Sequence, residues 1–77
     1  MTLNYMHGHF IYERLGHYIT RKRYKMKLSQ EEMAFRCGID RTYLSRIEKG
    51  RANPSLRSLC KIAKILKTRL TKMFKYL

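Results

Sequence analysis

Acidic side chains are scarce in this sequence. Glu13, Glu31, Glu32, Asp40 and Glu48 stand against 18 Lys and Arg, for a formal net charge of +13. No acid follows Glu48, while cations continue to Lys75. So one-sided a balance costs self-repulsion and points to a polyanionic partner, either nucleic acid or an anionic membrane; the plain alternative is a solubilising basic surface.

Other absences narrow the classes. The two cysteines, Cys37 and Cys60, fit neither a zinc-ligand spacing nor a disulfide framework. Each falls among apolar helical positions, so both are expected as core or near-core thiols in a reducing cytoplasm. No apolar run approaches membrane-spanning length and no signal-like segment precedes the first helix, which predicts a soluble cytoplasmic protein with no membrane span. No stretch alternates apolar and polar residues with period two, so no strand is expected. A nucleophile–His–carboxylate set and a phosphate-cradling glycine loop are both missing. Glu31 and Glu32 are adjacent and point apart, so no enzyme activity is expected. His7, His9 and His17 lack carboxylate support, and neither a metal nor another cofactor is expected.

What is present is helical punctuation, in a chain long enough for one small domain. Residues 1–9 show no periodicity and are expected as a flexible arm, with the domain proper over 10–77. From Phe10 to about Met26, Ile11, Leu15, Tyr18 and Ile19 mark an apolar stripe that Gly16 weakens. The basic run "RKRYKMK" suits the negative pole of that helix. Ser29, with Glu32 three residues on, forms a capping box for a second helix that buries Met33, Ala34 and Cys37 and stops at Gly38. Asp40 caps a third helix running to about Lys49 and closed by Gly50. Asn53 is the expected next N-cap, with Pro54 at the first helical position. Leu56, Leu59, Cys60, Ala63 and Leu66 then repeat near 3.6, with Ile62 and Ile65 widening the face. Leu70, Met73, Phe74 and Leu77 mark a short last helix. The expected fold is all-α, with five helices in one domain.

The third helix has an unusual face. Leu44 and Ile47 share one side, while Arg41, Thr42, Ser45, Arg46 and Lys49 spread over the other with no acid among them. The turn before it spans about three residues and forces a sharp crossing with the second helix, a helix-turn-helix arrangement. Ala34 supplies the small residue such a crossing needs, and Gly38 the permissive one in the turn.

The segment "LSQEEMAFRCGIDRTYLSRIEKGRANPSLRSLCKIAKIL" resembles the Cro/C1-type, or XRE-type, helix-turn-helix domain of phage repressors and small bacterial regulators. Gln30, Ala34, Gly38, Leu44, Ile47, Glu48, Gly50 and "NPSL" carry the likeness, over about residues 11–74. The shortness of the chain and "DRTYLSRIEKG" also resemble the controller proteins of restriction–modification systems. The resemblance implies a lambda-repressor-like fold whose third helix enters the major groove of double-stranded DNA. Arg41 is then the leading base reader, with bidentate geometry toward guanine, and Thr42, Ser45 and Arg46 are further base contacts. Gln30, Arg51 and Asn53 are expected at phosphates, with a solvated loop cation the rival role for Arg51. Tyr43 lies at the margin, either touching the backbone or packing against Ile39 or the first helix. By the same likeness Arg23 pairs with Glu48, fixing the third helix and turning Arg23 toward a phosphate.

One such helix reads too few base pairs to select a genomic site, so a homodimer on an inverted repeat is expected. The family likeness places the interface late in the chain, with Ile65, Leu66, Met73 and Leu77 as candidates and Leu66, Leu70 and Phe74 closing the monomer core; the rival is that all are core. Alternatives remain from other classes. Residues 56–77 have the charge and periodicity of a surface-active helix. The same fold also serves antitoxins, which bind a protein partner as well as DNA, and phage or plasmid repressors.

Overall fold

The computed structural model describes residues 4–75, with side chains from Phe10 onward. Five helices follow one another: α1 (Asn4–Lys25), α2 (Gln30–Cys37), α3 (Arg41–Glu48), α4 (Leu56–Ile65) and α5 (Leu70–Phe74). No strand occurs among the described residues. The all-α expectation holds.

Local chemistry explains most boundaries. The Ser29 hydroxyl accepts from the Glu32 N–H at 3.0 Å, and Asp40 accepts from the Thr42 N–H at 2.9 Å, so α2 and α3 each start on a side-chain cap. Gly38 is left-handed at φ 69°, and the Ile39 N–H reaches back to the Ala34 carbonyl at 3.0 Å, closing α2. Two expected starts are corrected. α1 begins at Asn4 rather than Phe10, so residues 4–9 are helical. The fourth helix is capped by Ser55, which accepts from the Ser58 N–H at 3.0 Å, two residues beyond the expected Asn53.

Leu15, Ile19, Met33, Leu44, Ile47, Ile62, Leu66 and Met73 meet in one core between α1 and the remaining helices. Gly16 is the hinge of this packing. A side chain there would strike the Glu48 carbonyl and lie 2.7 Å from the Ile47 carbonyl oxygen, so its absence lets α1 touch the C-terminal backbone of α3. Gly50, left-handed at φ 72°, sits just as tightly on Glu13.

Three burial expectations are corrected. Cys37 is buried, but Cys60 is exposed, because α4 turns that side outward. Leu66 and Met73 lie in the monomer core, the latter only 1% exposed, so neither offers a surface for a second copy. Phe74, expected inside, is 40% exposed; Ile65 and Leu70 are half-buried. Leu77 lies outside the described residues. Among those residues no helix is long and apolar enough to cross a membrane.

Candidate nucleic-acid interface

Leu44 and Ile47 are fully buried and seat α3 on the core. The opposite side is left bare: Arg41, Thr42, Arg46 and Lys49 are exposed, and Ser45 is half-buried. The four residues expected at base edges therefore share one open face, beginning at the capped N-terminus of α3. Arg46 Nη2 donates to the Arg51 carbonyl at 3.3 Å, which ties the loop after α3 to the same face. Arg51 and Asn53, expected at phosphates, are both exposed in that loop.

Behind the face lies a charged clamp. Arg23 Nε donates to Glu48 Oε2 at 2.8 Å and Nη2 to Oε1 at 2.9 Å, with side chains only 7% and 4% exposed. Arg23 Nη1 donates to the Leu28 carbonyl at 2.9 Å, and the guanidinium lies 4.7 Å from the centre of the Tyr24 ring. Hydrogen bonding from Glu48 raises the Arg23 pKa further above its ordinary value, against the opposing effect of burial, so the guanidinium stays charged. The buried Arg23 thus joins α1 to the end of α3.

Gln30 joins this clamp. Its Nε2 donates to Glu48 Oε1 at 2.9 Å, and its Oε1 faces Arg41 Nη1 at 3.4 Å. A chain of contacts thus runs from α1 through the end of α3 and the start of α2 to the first residue of the exposed face. Tyr43 is half-buried with its ring against the core, and its hydroxyl accepts from the Ser55 N–H at 3.3 Å. Hydrogen bonds from Ser58 and Ser55 lower the Tyr43 pKa.

Sequence reasoning missed the seats of Gly16 and Gly50, each set by a contact with a residue distant in the chain. Nor did it single out Phe35, 85% exposed on α2. Among the described residues no group of three or more His, Cys, Asp and Glu gathers as a metal site would require.

Fold and face together define a small helix-turn-helix protein of the XRE type. A family model described as helix-turn-helix matches residues 19–73, and the chain belongs to that family. It is 50% identical over 42 residues to the control protein C.BamHI of Bacillus amyloliquefaciens, covering 54% of this chain and 52% of that protein. It is 49% identical over 51 residues to the ImmF control region 10 kDa protein of Bacillus phage phi105, covering 66% and 57%. The chain thus spans little more than half the length of these relatives. The solved structure of the restriction-modification controller protein C.AhdI from Aeromonas hydrophila superposes with a TM-score of 0.79 at 33% identity, covering 82% of this chain and 96% of that one.

Proposed function

We propose that the chain is a sequence-specific DNA-binding transcriptional regulator, acting in the cytoplasm as a homodimer on an inverted repeat and serving as a restriction–modification controller. It is not an enzyme in this reading. The observation that carries it is the acid-free exposed face of α3, clamped from behind by Arg23, Glu48 and Gln30. An α-helix exposed along one side in this way fits a major groove, and Arg41 in its first turn presents its fork to a base there. Arg51 and Asn53, exposed in the loop after α3, contact phosphates in this reading and set the register.

Selection from a random duplex library at near-physiological salt tests it. An enriched inverted repeat with half-sites about one helical turn apart is expected. Arg41→Ala then costs about 1–3 kcal/mol and relaxes the preference at one position of each half-site, whereas Arg51→Ala weakens every sequence alike and lowers the salt slope by about one. Base preference unchanged in Arg41→Ala would mean that another face reads the DNA.

A further inference from the structure

A second cationic surface lies away from α3. Between α1 and α5 runs an open groove of about 610 Å³ whose walls carry Arg14, Arg21, Lys22, Lys25 and Lys72. A smaller neighbouring groove shares Lys22 and Lys72 and adds Lys67 and Arg69. No acid lines either one. Arg21 and Arg23 are two residues apart, so at 3.6 residues per turn they leave α1 from nearly opposite sides. Arg23 faces α3, and the groove therefore looks away from the recognition face. It also stays open in a dimer built on α5, because Lys72 and Phe74 are likewise two residues apart and diverge.

From this we infer that the α1–α5 groove is a second, sequence-independent site for the backbone of duplex DNA, by which an operator-bound dimer holds a separate DNA segment. This rests on the proposed reading for the location of the first duplex. Charge complementarity and extent argue for the occupant. From Arg14 to Lys25 the row runs eleven residues, about 16 Å of helix, along which a duplex presents roughly nine phosphate charges. A single nucleotide leaves most of these cations unmatched. A protein segment needs a deep apolar anchor at its centre, and the groove offers a poor one: Met73 is buried, and the half-buried Tyr18 has Lys22 Nζ 5.9 Å from its ring centre and its hydroxyl bonded to Thr68 at 2.7 Å. Cations without a deep anchor suit phosphates, which demand charge and little shape.

The test uses the intact chain. A duplex carrying the selected operator is tethered and loaded with protein, and a labelled duplex lacking the operator is passed over it at low salt. Wild type retains the second duplex. The variant Arg21→Ala/Lys25→Ala/Lys72→Ala, altered at exposed positions only, loads the operator within about twofold but retains about tenfold less second duplex, and its salt slope falls by about two to three. Equal retention by the two proteins, or none by wild type, overturns the site. So does retention of polyglutamate in place of duplex, which assigns the groove to an acidic protein. A second arm separates this from failure of the first reading. Arg41→Ala/Arg46→Ala still binds non-operator duplex in solution, and adding the three groove substitutions weakens that binding about tenfold; no further loss overturns the groove whether or not an operator is found.

Discussion

Glu48 holds three donors on two oxygens: Arg23 Nε on one, and Arg23 Nη2 with Gln30 Nε2 on the other. Glu48→Ala leaves a buried guanidinium without its counter-charge, which typically costs 3–5 kcal/mol, a large share of what about 5–15 kcal/mol of total stability allows. Denaturant unfolding should show that loss, and operator affinity should fall with it. The double variant Arg23→Met/Glu48→Leu separates the effects. It should recover most of the stability, because an apolar pair avoids desolvation, yet bind DNA less tightly, because Gln30 loses its anchor. Full recovery of binding would show that the clamp serves folding alone. The two thiols differ at the same scale. Burial raises the Cys37 pKa, so the folded state favours its neutral form, and stability should fall as pH rises above the ordinary thiol range. Native labelling with a thiol reagent should modify Cys60 quickly and Cys37 only on unfolding; rapid reaction of both would contradict the packing of α2 against α4.

At the scale of elements, Gly16 decides how α1 meets α3. In an exposed helix Gly→Ala gains about 1 kcal/mol. Here the added carbon meets the carbonyls of Ile47 and Glu48, which are backbone and cannot step aside, so Gly16→Ala should instead destabilise by about 1–3 kcal/mol. A raised melting temperature would mean that α1 sits further from α3. The same glycine shows where sequence reading stops. The caps at Ser29 and Asp40 and the stop at Gly38 were legible because each acts within a few residues of itself. The exposed face of α3 was legible because Leu44 and Ile47 fix its phase. A contact between residues 16 and 48 has no local signature, and Gly16 reads simply as a weak point in a helix. Asn53, Pro54 and Ser55 all suit a helix start, and composition alone does not choose among them. Lys27 and Lys67 take left-handed conformations at φ 58° and 56° that glycine usually fills, so the ends of α1 and α4 carry no residue signal. α5 has five residues, too few for periodicity to say that Met73 rather than Phe74 turns inward. Phe35 stays exposed on α2, and nothing within one chain accounts for it.

For the molecule as a whole, charge and pairing pull in opposite directions. Each copy carries +13, so bringing two together costs repulsion that salt screens over a Debye length of about 10 Å at 0.1 M. DNA relieves the same repulsion by supplying phosphates, and binding gains from the release of counterions, a gain that added salt diminishes. Dimerisation should therefore strengthen with salt while DNA binding weakens, and sedimentation and binding measured across one salt series check both slopes. The apolar surface that the core leaves over on α4 and α5 is Leu56 at the start of α4 and, toward the chain's end, Phe74 with the half-buried Ile65 and Leu70. Phe74→Glu should give a folded monomer, because the ring contributes little to the core, whereas Met73→Glu should not fold. Separated half-site readers lose the benefit of linkage, so operator affinity should drop by about 10²–10⁴-fold while a single half-site binds as before. A Phe74→Glu protein that still sediments as a dimer would move the interface off this face of α5.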